Sequence, residues 1–357
     1  MGFKCGIVGL PNVGKSTLFN ALTNSSKAQT ANFPFCTIDP NVGIVPVIDD
    51  RLDNLSEISN SKKKIYTTIS FVDIAGLVSG ASKGEGLGNK FLSHIREVDA
   101  IIHMIRCFEN EDIQNVNTDV NPIRDLEIIE TEMKLADLES IQKRLDKKNK
   151  KNLSEEDQKI LEMTSNIINN DRNIDKLKDE FTSKQLNLTG LLTLKPKLYV
   201  CNIDEESIGK GNSHTKKFID KFGDKNTIII SADIENQINQ LDNNERKNYL
   251  KIINQSDNGL NILIKKGYDL LKLETFFTSG PEESRAWTIT KNCKAPSAAG
   301  KIHTDFEKGF IKVETVSYND FIQNKGWLNS KTNGKMRLEG KDYVVRDGDV
   351  LNFRFNT

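Results

Sequence analysis

The chain carries a GxxxxGKS motif, Gly9 to Ser16, whose residue types and spacing suit the binding of phosphate groups. Glycines let the main chain curl so that its N–H groups point at phosphate oxygens, the lysine reaches the β- and γ-phosphates, and the serine hydroxyl can ligate Mg²⁺. The apolar run Phe3 to Val8 before the motif is typical of a buried strand, and Ser16 to Leu22 after it is typical of a helix. This context predicts a P-loop. Its predicted contacts with a nucleotide are Asn12, Val13, Gly14, Lys15, Ser16 and Thr17.

Two later segments have the residue types with which P-loop proteins hold Mg²⁺ and sense the γ-phosphate. Thr37 lies in a proline-punctuated loop before a strand, and Asp73 follows the apolar strand Thr67 to Val72. Gly76 completes a DxxG pattern and can offer its main-chain N–H to the γ-phosphate. We therefore predict that Ser16, Thr37 and Asp73 hold Mg²⁺ and that Gly76 contacts the nucleotide.

The residue after Gly76 is Leu77, at the position where many GTPases place a glutamine that orients the attacking water. A leucine side chain forms no hydrogen bond with water, so hydrolysis must use another residue, a bound cation or the substrate itself. The sequence leaves the catalytic residue unknown and predicts slow intrinsic hydrolysis.

The segment Asn202 to Glu205 follows the apolar strand Leu198 to Cys201, at the position of the NKxD motif of GTP-binding proteins. In that motif the aspartate accepts hydrogen bonds from guanine and the lysine covers the ring. Ile203 and Glu205 replace them here, so the recognition of guanine is weakened and discrimination against adenine falls. A second loop, after the strand that ends at residue 230, is expected to complete the base site. The predicted contacts with the base are Asn202, Ile203, Glu205, Ser231 and Ala232.

Composition narrows the class of protein. The chain has 357 residues, which suggests two or three domains, and its 50 basic and 50 acidic residues give a pI near 6.9. Because the charges balance, the chain as a whole does not attract nucleic acid electrostatically. Any contact with RNA must therefore come from local basic patches, and we expect no DNA partner. Five scattered cysteines without a CxxC pair indicate neither a disulfide framework nor a zinc site. No apolar run approaches the roughly 20 residues of a membrane span, so we expect a cytoplasmic protein without a membrane partner.

The order of apolar runs predicts an α/β fold of the P-loop NTPase class, with a mostly parallel sheet flanked by helices. Residues 1–120 and 195–273 are predicted to form this nucleotide-binding domain. Residues 121–194 have apolar residues at helical spacing, which predicts an inserted, coiled-coil-like antiparallel helical hairpin. Its basic tip, 143–151, suits either contact with RNA or a solvated turn. Residues 274–357 have short strand-like runs, typical of a small α+β binding module.

Taken together, the motifs resemble those of the Obg-like ATPases of the YchF type over essentially the whole chain. The segments that carry the resemblance are GLPNVGKS, NFPFCTIDPNVG, DIAGLVSGASKGEGLGNKF, NIDE, RAWTI, APSAAGKIHTDFEKGF and VRDGDVLNFRFN. The resemblance implies a translation-factor-class P-loop domain, a C-terminal TGS domain, and slow Mg²⁺-dependent hydrolysis of ATP, with GTP bound more weakly. It also implies association with the ribosome or ribosomal RNA, and a role in translation or stress responses.

The resemblance adds expectations about hydrolysis. Asn12 matches the P-loop asparagine with which K⁺-dependent members of the wider class hold a potassium ion, so stimulation by K⁺ is expected. Leu77 matches the family's hydrophobic replacement for glutamine. Bacterial members carry a histidine proposed to aid hydrolysis in the loop where this chain has Gln114 and Asn115. Asn115 cannot act as a general base, although its loop can position water.

Two alternatives stay open at the level of the sequence. One is a GTPase with relaxed base specificity, because the base motif is altered rather than lost. The other is a nucleotide-gated RNA- or ribosome-binding module whose hydrolysis is incidental, because neither Leu77 nor Asn115 supplies a catalytic side chain.

Overall fold

The computed structural model describes residues 3–29, 41–74, 87–110, 113, 119–146, 151, 153–170, 174–241, 243–253 and 257–356. The chain divides into two compact units, Met1–Ile44 with Ser70–Leu263, and Val45–Ile69 with Ile264–Thr357. The strands are β1 (Lys4–Val8), β2 (Val42–Pro46), β3 (Lys63–Ile65), β4 (Thr68–Asp73), β5 (Ala100–Arg106), β6 (Lys197–Asn202), β7 (Thr227–Ile230), β8 (Leu273–Ser279), β9 (Glu283–Thr290), β10 (Phe310–Ser317), β11 (Arg337–Glu339) and β12 (Asp349–Phe355). The helices are α1 (Lys15–Gln29), α2 (Asp50–Ile58), α3 (Leu87–Arg96), α4 (Pro122–Leu145), α5 (Glu155–Asn169), α6 (Leu177–Glu180), α7 (Ser183–Leu188), α8 (Ser213–Phe222), α9 (Ala232–Ile238), α10 (Asn243–Ile252), α11 (Gly259–Leu270), α12 (Ala295–Ile302), α13 (Thr304–Lys308), α14 (Tyr318–Gln323) and α15 (Trp327–Thr332).

A six-stranded sheet in the order β2-β4-β1-β5-β6-β7 organises the first unit. Strand β1 pairs in parallel with β4 and β5, β5 pairs in parallel with β6, and β6 with β7. Every residue of β5 is buried, which is typical of a central parallel strand covered on both faces. Because these five strands are parallel, the segments that follow them leave the sheet at one edge. That edge is where open α/β sheets bind their ligands.

The predicted helical insertion is present as α4 and α5, followed by the short helices α6 and α7, which the sequence pattern did not indicate. Both long helices begin after a polar residue whose side chain accepts a hydrogen bond from the first turn, Asn121 for α4 and Ser154 for α5. Ile141, Leu161 and Leu191 pack in one cluster, so α4, α5 and the segment after α7 share a core.

A second six-stranded sheet, in the order β11-β10-β12-β8-β9-β3, organises the other unit. The pairs of β12 with β8 and of β3 with β9 are parallel, whereas β10 pairs antiparallel with β11 and β12, and β8 with β9. The neighbours Phe276 and Phe277 lie in separate clusters, because side chains alternate between the faces of a strand. Phe276 packs with residues of α12 and α13, and Phe277 with residues of α2 and α14.

The second unit corrects one assignment made from sequence order. The sequence order predicts residues 45–69 and 264–273 as part of the nucleotide-binding domain, but the structure includes them in the second compact unit. The reason is that α2 packs into the cluster around Phe277 and β3 pairs with β9.

Among the helices that the structure describes, none has both the length and the apolar composition needed to cross a membrane.

Candidate functional site

The P-loop connects β1 to α1 and turns on two residues with positive φ angles, Asn12 at 62° and Gly14 at 97°. A Cβ at Gly14 would collide with Nδ2 of Asn202, so a side chain is excluded there both by space and by backbone conformation. A Cβ at Gly9 would lie 2.5 Å from the main-chain oxygen of Met104 in β5. The two glycines therefore let the loop lie directly against β5 and the end of β6.

Lys15 stands at the start of α1 and is only 8% exposed, and its Nζ donates to the main-chain oxygen of Leu10 at 2.8 Å. Burial lowers the pKa of its ammonium group, and the nearby carboxylate of Asp73 opposes that shift. A desolvated cation at a helix N-terminus attracts an anion more strongly than the same cation in bulk water. The loop's own carbonyl thus holds Lys15 where phosphate binding is favoured.

Ser16 and Asp73, two of the three predicted Mg²⁺ ligands, meet at the edge of the sheet. Oγ of Ser16 donates to Oδ2 of Asp73 at 3.3 Å, because β4 lies beside β1 with Asp73 opposite Ile7. The other carboxylate oxygen, Oδ1, is buried and has no hydrogen-bond partner among the described residues. A buried oxygen of this kind beside a hydroxyl fits the oxygen ligands that Mg²⁺ prefers. The third predicted ligand, Thr37, lies outside the described residues.

Asn202, the last residue of β6, joins the phosphate side of the site to the base side. Its side chain is 4% exposed, its Nδ2 donates to the main-chain oxygen of Val13 at 3.0 Å, and its Oδ1 accepts from the N–H of Ala232 at 3.0 Å. An amide suits this position because it carries a donor and an acceptor on one planar group. The P-loop and the second predicted base loop are therefore held in a fixed relation to each other.

The remaining residues of the predicted base site differ in exposure. Ile203 and Ser231 are buried, and both line a cavity of about 190 Å³ whose walls are mainly isoleucines. Glu205 is exposed and begins a short 3₁₀ turn capped by the side chain of Asp204. The base side thus combines a cavity next to both loops with a carboxylate that a ligand can reach.

A buried carboxyl group, Glu235, follows the second base loop on α9 and also lines this cavity. Oε1 accepts from the N–H of Gly259 at 2.6 Å, and Oε2 accepts from the N–H of Leu260 at 3.3 Å. Burial raises the pKa of Glu235 to about 7, although these two hydrogen bonds oppose the shift; Asp257 raises the pKa further and Arg246 lowers it. A group that titrates near neutral pH therefore caps the N-terminus of α11.

Comparison with known proteins places this site in a family. Residues 4–136 match the family described as 50S ribosome-binding GTPase, and residues 273–356 match the C-terminal YchF-GTPase family, described as a protein of unknown function. Proteins of Pasteurella multocida and Bacillus subtilis, both described as ribosome-binding ATPase YchF, are 49% and 48% identical to this chain, with 100% of each chain covered. The chain belongs to the YchF family.

A solved structure from the YchF family agrees with the fold described above. The Schizosaccharomyces pombe YchF GTPase is 37% identical, covers 99% of this chain and 98% of its own, and superposes with a TM-score of 0.87. The predicted fold class, a P-loop α/β domain with a helical insertion and a C-terminal α+β module, is confirmed.

Most of the residues predicted for the nucleotide site of this YchF-family chain lie at the carboxyl edge of the first sheet. The P-loop residues Asn12 to Thr17 follow β1, Asp73 ends β4, and Asn202 ends β6. Gly76, Leu77 and Asn115 lie outside the described residues, so their predicted roles remain predictions.

Two features beside the site have no signature among the sequence motifs. The carbonyl group of Leu10, which holds Lys15, belongs to the main chain, and no residue type signals it. Arg106 ends β5 with its guanidinium group buried. A charged residue directly after six buried, mostly apolar positions was the available signal, because buried cations are rare unless they are hydrogen-bonded.

Proposed function

We propose that this protein is an ATP-hydrolysing P-loop switch that associates with ribosomes. One observation carries the proposal: Ser16 pairs with Asp73 beside Lys15, and Asn202 ties this group to a base loop without the NKxD lysine and aspartate. The relatives described as ribosome-binding ATPase YchF, which match along their whole length, support the same function.

On the phosphate side, each residue has one task in the proposed reaction. Lys15 moves its Nζ from the Leu10 carbonyl to the β- and γ-phosphates. Ser16 and Asp73, together with Thr37, hold Mg²⁺, which when bound neutralises charge on the β- and γ-oxygens. Gly76 donates its main-chain N–H to the γ-phosphate and so couples its loop to the presence of ATP.

On the base side, the proposed preference for ATP follows from hydrogen-bond complementarity. Guanine offers paired donors that an aspartate reads, whereas adenine offers an amino donor next to an acceptor at N1. Ile203 provides apolar surface for the ring, and the exposed carboxylate of Glu205 accepts from the amino group. Asn202, Ser231 and Ala232 fix the two loops around the base.

Hydrolysis is proposed to be slow and stimulated by K⁺. Leu77 offers no hydrogen bond to a water molecule, so positive charge near the phosphates must supply more of the stabilisation of the transition state. Asn12 adopts a φ of 62° on the P-loop and is exposed, which suits an amide oxygen that ligates a cation beside the phosphates. Asn115 cannot act as a general base, and its loop is proposed to act by positioning water.

The proposed partner is the ribosome or ribosomal RNA. Local surfaces must provide this contact, because the net charge of the chain is zero. The basic segment 143–151 of the helical insertion and the TGS-like module at 274–357 are the two candidate surfaces. We place the protein in the cytoplasm, with no membrane or DNA partner.

Titration with labelled ATP and GTP, each with Mg²⁺, tests the nucleotide preference, and single-turnover hydrolysis in K⁺ or Na⁺ buffer, with and without ribosomes, tests the switch. We expect tighter binding of ATP, slow turnover that K⁺ accelerates, and co-sedimentation with ribosomes. Binding of GTP at least tenfold tighter would support the GTPase alternative, which the GTPase description of the matching family keeps open. Nucleotide-dependent co-sedimentation without stimulated hydrolysis would support a nucleotide-gated binding module.

A further inference from the structure

Arg106, the last residue of β5, places a guanidinium group inside the protein with only 2% of its surface exposed. Among the described residues, its guanidinium group donates only to main-chain carbonyl groups of the segment that follows. Nε donates to the carbonyl of Phe108 at 3.1 Å, Nη2 to that of Asn110 at 3.2 Å, and Nη1 to that of Ile113 at 3.1 Å. The guanidinium plane also lies 4.6 Å from the centre of the Phe108 ring. One side chain thus binds three carbonyl groups of a single loop.

Only arginine has the chemistry for this arrangement. Its N–H groups point outward from a rigid plane, and it stays charged, so it can satisfy several carbonyl groups in fixed directions. A lysine at the same position would carry a point charge on a flexible stem and could not reproduce the three directions. The bonds to Arg106 therefore fix the positions of the carbonyl groups of Phe108, Asn110 and Ile113.

The described residues after β5, Cys107 to Asn110 and Ile113, which we call the β5 loop, are also tied to the base side of the nucleotide site. The N–H of Cys107 donates to the main-chain oxygen of Asn202 at 2.8 Å, and Nδ2 of Asn212 donates to the carbonyl of Cys107 at 2.6 Å. Farther along the loop, Nε2 of His214 lies 3.0 Å from Oε1 of Glu109. The β5 loop therefore starts beside the amide that links the P-loop to the base loop.

The position of β5 in the sheet brings the same loop next to the phosphate side. Strand β5 lies between β1, which leads into the P-loop, and β6, which ends at Asn202. The P-loop touches β5 at Gly9, where a Cβ would lie 2.5 Å from the carbonyl oxygen of Met104, two residues before Arg106. The β5 loop therefore leaves the sheet at the edge that binds the nucleotide, between its two halves.

We propose that Arg106 is a positioning residue for ATP hydrolysis: it holds the main-chain carbonyl groups of the β5 loop in fixed positions at the edge of the sheet that binds the nucleotide. This inference rests on the proposed ATPase function. Because the guanidinium is buried and already bound to three carbonyl groups, Arg106 does not itself reach the phosphates as an arginine finger would. Its contribution is preorganisation, which lowers the barrier of the chemical step while the substrate is bound elsewhere.

The test compares Arg106→Lys with a control, Lys195→Arg. Lys195 is a half-buried lysine whose Nζ also donates to main-chain carbonyls, those of Arg96 at 3.1 Å and Val98 at 2.5 Å, but it lies at the opposite edge of the sheet, where β5 begins. We expect Arg106→Lys to lower kcat at least tenfold, equivalent to about 1.4 kcal/mol of barrier. KM and the Kd for ATP should change less than about threefold. Amide hydrogen exchange in the β5 loop should become faster, and Lys195→Arg should change none of these values.

A second variant guards against the case in which Arg106→Lys does not fold. His214→Ala removes the outer tether of the same loop, whose partner Glu109 is exposed, and leaves Arg106 in place. We expect faster exchange in the β5 loop and a smaller, several-fold fall in kcat at unchanged Kd. A normal kcat despite faster loop exchange, in either variant, would overturn the inference.

Two other results are informative. A fall in ATP affinity as large as the fall in kcat/KM would show that Arg106 merely maintains the structure of the binding site, and would overturn the positioning role. If the wild-type chain binds ATP but hydrolyses none, with or without ribosomes and K⁺, the proposed ATPase function fails and this inference fails with it. Normal hydrolysis by the wild type and by Arg106→Lys would overturn only the role of Arg106.

Discussion

The two sides of the nucleotide site are held together in different ways. On the phosphate side, three polar side chains are already engaged, since Lys15 donates to the P-loop and Ser16 donates to Asp73. On the base side, one buried amide, that of Asn202, fixes the main chain, while the carboxylate of Glu205 is exposed. Charge-assisted contacts with phosphates are equally available to ATP and GTP. We therefore expect most of the affinity to come from the phosphate side and the base side to provide a modest, adjustable preference.

The largest expected effect follows from removing the cation of the phosphate side. Lys15→Ala should weaken ATP and GTP binding alike by at least about 100-fold, because two charge-assisted contacts worth about 1.5–3 kcal/mol each are lost. Lys216→Ala, at an exposed lysine of α8, serves as the control and should leave both affinities unchanged. Titration of labelled nucleotides measures both. If the Lys15 variant kept its ATP affinity, the P-loop assignment would be wrong.

The next largest effect is expected when the hydrogen bonds that connect the two sides are weakened. In Asn202→Asp the side chain keeps an acceptor for the N–H of Ala232 but cannot donate to the carbonyl of Val13. We expect ATP affinity to fall between about 10-fold and 100-fold, since a buried carbonyl left without a donor costs about 1–3 kcal/mol.

The control for the connection is Asn239→Asp. Asn239 also donates its amide N–H to a main-chain carbonyl, that of Ala21 at 2.8 Å, but it takes no part in the two base loops. Isothermal titration of both variants separates the effects. Equal losses of affinity in the two would mean that Asn202 acts on general stability rather than on the site.

A smaller effect should appear when the base side is restored to the guanine-reading pattern. In the double variant Ile203→Lys with Glu205→Asp, the ratio of GTP to ATP affinity should rise about tenfold, because a site that hydrogen-bonds a base discriminates against one lacking the matching groups. The neighbouring exposed residue allows a control, Glu206→Asp, which should leave the ratio unchanged. Competition between the two nucleotides measures the ratio directly. No change in the double variant would place base selection outside this motif.

Part of the fold and part of the candidate site could be predicted from the sequence. The P-loop, Asp73 and Asn202 could be predicted because each follows an apolar strand at a fixed place in the chain, and parallel strands bring such positions to one edge. The assignment of residues 45–69 failed because the pairing of β3 with β9 joins segments more than 200 residues apart, which local patterns do not encode. Arg106 was missed for a related reason, since its three partners are main-chain carbonyls that any sequence would supply.

The smallest expected effect concerns stability and belongs to the base side alone. Burial raises the pKa of Glu235 to about 7, whereas an unfolded chain releases this proton near pH 4.3. Between those values the folded state holds a proton that the unfolded state has lost, so this group's contribution to stability falls as the pH rises toward 7, by at most about 4 kcal/mol. The glutamine introduced by Glu235→Gln does not titrate. The melting temperature of the variant minus that of the wild type should therefore increase by roughly 5 °C from pH 5 to pH 7 and level off above about pH 8.

Glu206→Gln, at an exposed glutamate, should show no such trend. A flat difference for Glu235→Gln would mean that the carboxylate is already ionised in the folded protein, and that the hydrogen bonds from Gly259 and Leu260 outweigh the cost of burial.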